Sequence, residues 1–404
     1  MSEDDRNQFS AADAALGYLY QVRVALLWAL RKLKSATDFL VSIETLDDVT
    51  FETKGGTPDE LLQTKHHRNR KASLSDASPD LWKSLRIWFE GYAKSIPTGA
   101  ALHLLTTATA AAGSAPAYLR LEGRNVDAAL TALQSTAQSS ANAGNASAYE
   151  AFLNTSAATR KAILEMVVVI DAAPTVNALD QELRTEVFWA VDRKDHDAFL
   201  DRIEGWWLRR VLKQLVAVGQ GDRILAGEIE AEMSDLRDQF QQDSLPIDED
   251  LFDFTLDDAT LSTHAESTFV HQLHLIKAGK KRIAAAIRDY YRAFEQRSRW
   301  LRNDLLLVGD LGKYERKLIE EWELVFEAMR DEVGAGAAED AKEKAAREVL
   351  KWAESVTIPI RPRVTEPFVT RGSLHMLADE VRVGWHPEFH DRLAILLGVT
   401  TGAA

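Results

Sequence analysis

The hydrophobic period changes repeatedly within the first 110 or so residues, and this constrains the fold more than any other feature of the chain. From Ala11 to about Leu33, the apolar residues Leu16, Tyr20, Val24 and Leu27 fall on one helical face. Ser10 with Asp13 three residues later resembles a capping box that would start this helix. Phe39 to Ile43 reads as a strand, Val49 to Glu52 alternates apolar with polar as a second, and Leu61 to Lys65 reads as a third. Gly55 and Gly56 mark the turn between the last two. Ser78 before Pro79 predicts a helix start, because proline tolerates the first helical position, and Leu81, Leu85, Trp88 and Tyr92 then share a face. With a further strand at Leu102 to Thr107, the order helix, three strands, helix, strand predicts an α/β core.

The rest of the chain reads differently. Residues 134–147 are rich in Ser, Ala, Asn and Gly and predict a loop, while Met166 to Ile170 predicts one more buried strand. Asn177 to about Gln241 has a helical pattern in which Trp206 and Trp207 are expected to supply core mass. Acidic residues and Pro246 break the pattern at 243–258, long helices are expected from His264 to Met329, and the tail beyond Ile358 is mixed. A chain of 404 residues exceeds one ordinary core, so at least two domains are expected. The resulting division is 1–240, with its core at about 10–115, an acidic linker at 241–258, and a mainly helical domain at 259–404.

Charge and cysteine content exclude several classes. A net charge of -14 is wrong for a protein that coats nucleic acid through a uniformly basic surface. Without cysteine there is no disulfide scaffold and no thiolate zinc site. The acidic start lacks the pattern of a signal peptide and no run of about 18 apolar residues occurs, so a cytoplasmic protein with no membrane partner is expected.

One constellation carries chemistry. Asp47 and Asp48 precede the second strand, and Gln63 and Lys65 project together from the third because residues two apart share a strand face. If the two strands pair as a hairpin, Asp48 joins them. A carboxylate and an amide oxygen suit a hard cation such as magnesium, and an ammonium beside them can steady an attacking water or developing negative charge. The plainer alternative is that Asp48 caps a turn while Gln63 and Lys65 line a solvated edge. Asp47 rivals Asp48, since a one-residue shift exchanges strand faces. The basic run Lys65, His66, His67, Arg68, Arg70, Lys71 leads out of this site and is either a track for a DNA backbone or a solvated loop.

Gly17-Tyr18-Leu19-Tyr20-Gln21, Glu44 with Asp47-Asp48, Gln63-Thr64-Lys65-His66 and Leu104-Leu105-Thr106-Thr107 together resemble the PD-(D/E)XK endonuclease domain of bacterial anti-phage effectors. The resemblance covers residues 10 to 115 well and implies that Asp48 and Gln63 bind magnesium or manganese, that Lys65 is the catalytic lysine, and that Glu44 and Gln21 support them. It implies cleavage of double-stranded DNA.

In the C-terminal half, residues 277–302 concentrate lysine and arginine, with Tyr290, Tyr291, Phe294 and Trp300 interleaved. This predicts a protein interface, or an amphipathic helix whose charges pair with the acidic stretch Glu315 to Glu323. Asp289 to Phe294, Gln296 to Leu301, Tyr314 and Glu321 to Glu323 resemble the C-terminal region of effectors from ABC-three-component defence systems, the group that includes Lamassu, over about residues 260 to 395. That resemblance implies an SMC-like or Rad50-like ATPase partner, a small middle subunit and control of the effector by the complex; self-association in the active state is expected because a PD-(D/E)XK domain uses one active site per strand. The alternative is an assembly or DNA-binding subunit that keeps the nuclease fold without cutting. His386 and His390 are four apart, but Pro387 between them puts His386 before any helix, which speaks against a joint metal role.

Overall fold

A computed structural model describes residues 11–67, 72–92, 94–217, 221–334 and 336–396. The chain forms two compact units, Met1–Asp235 and Leu236–Ala404.

The first unit is built on a six-stranded sheet. It opens with α1 (Ala11–Leu33), followed by β1 (Phe39–Ile43), β2 (Val49–Thr53), β3 (Pro58–Lys65), β4 (Ser73–Leu74), α2 (Pro79–Gly91), β5 (Ala101–Thr106) and β6 (Thr109–Ala110). Short turns make β1, β2 and β3 an antiparallel meander. The step from β3 to β5 is parallel and needs a crossover, which α2 supplies. Helices α3 (Ala115–Tyr118), α4 (Val126–Ser139), α5 (Ala146–Leu153) and α6 (Ala157–Met166) carry the chain to β7 (Val167–Ile170), which is parallel to β5. After α7 (Leu179–Glu186) and α8 (His196–Val216), β8 (Ile224–Leu225) closes the order β7-β5-β3-β2-β1-β8. The first unit ends within α9 (Ala226–Gln239).

Two expectations change here. Residues 134–147 are a loop only in part: α4 runs to Ser139 and α5 begins at Ala146, leaving 140–145 as the connection. Alanine is the best helix former, and Ala129, Leu133 and Ala137 bury one face of α4 beside Phe152 and Val167. Trp207 is buried and donates Nε1–H to the Val22 carbonyl at 2.8 Å, whereas Trp206 is only half-buried. Ser10 of the expected capping box lies outside the described residues.

The second unit is helical: α10 (Asp250–Asp253), α11 (Asp258–His264), α12 (Thr268–Leu275), α13 (Lys280–Arg302), α14 (Asp310–Val333), α15 (Glu339–Ser355), α16 (Pro367–Asp379) and α17 (Phe389–Leu396). Trp322, Phe326, Leu350 and Trp385 are among its buried core. Residues 241–258 are not a free linker. The Pro246 carbonyl accepts from Trp300 Nε1 at 2.6 Å, and Gln296 Oε1 accepts from the Asp248 amide at 2.9 Å. Of the basic charges of α13, Arg297 pairs with Glu315 of the acidic stretch, whereas Arg282 pairs with Glu354 at 2.8 Å and Arg299 with Asp250 at 2.6 Å, both outside it. Among the described residues no helix is long and apolar enough to cross a membrane.

Candidate functional site

The centre of the site lies where β2 begins and β3 ends. Val49 pairs with Leu62 across the antiparallel ladder, so continuing the register one step brings Asp48 opposite Gln63. The amide of Gln63 divides its bonds. Its Nε2 donates to Asp47 Oδ1 and to Asp48 Oδ1, the latter at 3.1 Å, while its Oε1 accepts from Lys65 Nζ at 2.8 Å and from Ser84 Oγ at 3.4 Å. Both aspartates therefore reach the same group, and the rivalry between them resolves into two roles.

Asp47 is the inner carboxylate. It is 6% exposed, accepts Trp88 Nε1–H at 2.8 Å on Oδ2, and accepts the Asp48 amide at 2.9 Å on Oδ1. Burial lifts its pKa to about 6, with the charge of Asp48 adding and the bonds from Gln63, Trp88 and the Asp48 amide opposing. Asp48 is the outer one: its Oδ2 accepts from the Thr64 amide at 2.7 Å and Thr64 Oγ1 at 3.1 Å, and lies 3.8 Å from Lys65 Nζ. Gln21 of α1 is buried and bridges the turn before β2, donating Nε2–H to Glu44 Oε1 at 3.0 Å and to the Asp48 carbonyl at 2.6 Å. Glu44 is exposed, in the left-handed region at φ 54°, and is tied to the site through Gln21.

As placed, Gln63 turns its amide nitrogen to the carboxylates, so these residues would hold a divalent cation only with that amide turned. Two carboxylate oxygens converge on one amide nitrogen, and a turn of the Gln63 amide would present Oε1 in its place, giving three hard oxygen donors.

The basic run divides. Arg68, Arg70 and Lys71 lie outside the described residues. His66 turns toward α1, its ring 4.9 Å from that of Tyr20, while His67 binds Asp80 of α2, with Nε2 and Oδ2 2.7 Å apart. Sequence reasoning missed Ser84, Trp88, Thr64 and Asp80 as parts of the site. The signal was the spacing of Asp80, Ser84 and Trp88, four apart on one helix face.

In the second unit, ligand atoms of Glu339, His386 and Glu388 lie within 4.8 Å of one another. Two observations make this an ion-pair network. Arg392 and Lys342 already occupy the carboxylates. The Glu388 amide donates to His386 Nδ1 at 3.1 Å, so in the neutral ring the proton sits on Nε2, the nitrogen facing Glu339. His390 is exposed and outside the cluster, and His386 precedes α17 as expected.

No curated protein matches this sequence. Among solved structures the chain is similar to the Cap4 SAVED/CARF-domain containing receptor of Moraxella osloensis, distantly, with 13% identity and a TM-score of 0.35 over 70% of this chain and 68% of that one. Residues 269–393 match the family model of C-terminal domain 7 of the ABC-three component (ABC-3C) systems, close to the span expected from the sequence. That domain match supports an ABC-three-component protein.

Proposed function

We propose that the first unit is a metal-dependent endonuclease of the PD-(D/E)XK type, acting on double-stranded DNA as the effector of an ABC-three-component anti-phage system. The observation that carries this reading is the convergence of Asp47 and Asp48 on Gln63, with Lys65 next along the same strand. Asp48 and Gln63, backed by Asp47, would hold magnesium or manganese, which when bound neutralises the scissile phosphate and acidifies a water. Lys65 sets an ammonium beside that position, where negative charge develops. Thr64 fixes the Asp48 carboxylate, Trp88 fixes Asp47, and Gln21 fixes the turn that carries both.

The test is cleavage of supercoiled plasmid by the full chain with magnesium, manganese or a chelator. Lys65→Ala is expected to leave the fold intact and abolish cleavage, since a half-buried strand lysine contributes more to the reaction than to packing. A folded Lys65→Ala protein that cuts at the wild-type rate removes Lys65 from the mechanism.

A second reading has its own support. Gln63 satisfies both carboxylates and Lys65 within the protein, as in an assembly or DNA-binding subunit that keeps the fold without cutting. Failure to cleave with any divalent cation favours it.

The C-terminal match supports partner subunits, and in this proposal they are an SMC-like or Rad50-like ATPase and a small middle component. An effector that cut DNA without reading base sequence would need outside restraint. In this reading the complex holds a lone copy inactive, and release lets copies pair to cut both strands. Mass photometry alongside the plasmid assay decides it: a monomer that cuts duplex DNA efficiently, or a resting complex that already holds two copies, overturns the restraint model.

A further inference from the structure

Beyond the cation site, β3 and α2 meet at a second polar contact. Gln63 and Lys65, two apart, share a face of β3, and His67 follows two residues past the strand's end. Helix α2 answers with one stripe: Trp88 donates to Asp47, Ser84 to Gln63, and Asp80 pairs with His67. Lys65 stands between Gln63 and His67 in this row. Past the end of β3 the path is fixed by β5, because the Thr107 amide donates to the Lys65 carbonyl at 3.2 Å and Thr107 Oγ1 accepts from the His67 amide at 2.8 Å.

With Nε2 of His67 2.7 Å from Asp80 Oδ2, the carboxylate sets the ring's orientation, and Nδ1 is the nitrogen that would meet a substrate. Among the described residues, the charged groups facing the pair are Lys65 on β3 and Lys83 on α2. The bond to Asp80 raises the pKa of His67 against burial and Lys65. Burial lifts Asp80, but His67, Lys65 and Lys83 outweigh it and hold the carboxyl below its usual range. A histidine that gripped a phosphate by charge would lose most of its field to this carboxylate. A histidine that hands over a proton is served by it, since it stays protonated nearer neutral pH and in one orientation.

We propose that His67, oriented by Asp80, is the general acid that protonates the leaving sugar oxygen when a phosphodiester is cut at Lys65. This rests on the nuclease reading of the same site. The order of the row suits in-line displacement, where attacking water and leaving oxygen lie on opposite sides of phosphorus. Asp48 and Gln63 lie on one side of Lys65 in this row, and His67, two residues past the end of β3, lies on the other. In the step, the water oxygen bonds to phosphorus as the bond to the sugar oxygen breaks. The electron pair left on that oxygen takes the proton from His67 Nδ1, and the neutral ring keeps its Nε2–H on Asp80. The attacking water's proton passes to solvent, which later reprotonates His67.

The test compares ordinary duplex DNA with duplexes in which sulfur replaces the 3′ or the 5′ bridging oxygen, cut by the full chain in manganese. A thiolate leaves without a proton. His67→Gln is expected to slow the ordinary bond about 100-fold or more, yet to cut one of the sulfur duplexes within about threefold of wild type. Asp80→Asn, a positioning change, is expected to move the falling limb of the kcat/KM profile to lower pH, a shift that a structural role would not produce. Equal losses on all three duplexes overturn the general acid while the nuclease reading stands. Wild-type protein that cuts none of them overturns both.

Discussion

At the scale of single residues, the two adjacent aspartates differ in burial, and that difference is measurable. Asp47 has a pKa of about 6 when folded against a usual value of 3.8, so the folded protein holds a proton that the unfolded chain has released between those values. Its contribution to stability is therefore full below about pH 4, falls as pH rises toward 6, and is constant above; two pH units correspond to about 3 kcal/mol. Asp47→Asn removes this decline, so its stability relative to wild type is expected to rise by up to about 3 kcal/mol between pH 4 and pH 6 in urea titrations followed by tryptophan fluorescence. A constant difference across that range would mean Asp47 is not held in the buried state described. Asp48, facing Thr64 and Lys65, is the more exposed carboxylate. Asp48→Asn is expected to cost cleavage and cation affinity far more than Asp47→Asn, and the reverse order in calorimetric titration with manganese would exchange their roles.

At the scale of elements, the close approach of α13 and α16 sets the packing of the second unit. Gly372 lies where a Cβ would sit 2.0 Å from the Asp289 carbonyl oxygen, so the two helices meet nearly backbone to backbone. Gly372→Ala must push them apart and is expected to destabilise this unit by about 3 kcal/mol. A thermal scan showing an unchanged transition would contradict that contact. The neighbouring charges belong to the same packing: Arg371 donates to buried Asp289 at 2.6 Å, and Tyr290 stacks on Phe269 with centroids 4.7 Å apart. The basic, aromatic-rich pattern of α13 thus reflects a helix that packs on several sides. In the first unit α2 does comparable work for the site, burying Leu81, Leu85 and Trp88 while directing Asp80, Ser84 and the Trp88 nitrogen at β2 and β3.

At the scale of the whole molecule, the division into units changes where the chain can be cut. Residues 241–258 carry Leu245 and Leu251, both buried, and the Pro246 carbonyl is bound by Trp300. A fragment ending at 258 would expose them, whereas one ending at 240 keeps α9 and removes that segment. The shorter fragment is expected to elute as a single monodisperse species and the longer one to aggregate in size-exclusion chromatography. Neither is expected to co-purify with the proposed ATPase partner, and retention of either would place assembly outside the C-terminal domain.

The sequence by itself determined the local elements wherever one periodicity dominated. Helix α1 and the strands β1, β2, β3, β5 and β7 were legible because alternation or four-residue spacing depends only on neighbours along the chain. It misjudged part of 134–147, where small residues carry little periodic contrast and helix comes from alanine packed against Phe152 and its neighbours. The grouping of Asp48, Gln63 and Lys65 was legible through strand alternation, and the C-terminal domain through its resemblance. Only the tertiary structure decided that Asp47 and Asp48 share Gln63, that Trp88 makes Asp47 the inner carboxylate, and that Asp80 meets His67. Those contacts join residues 13 to 41 positions apart through the β2–β3 pairing and the packing of α2, and no local pattern encodes them.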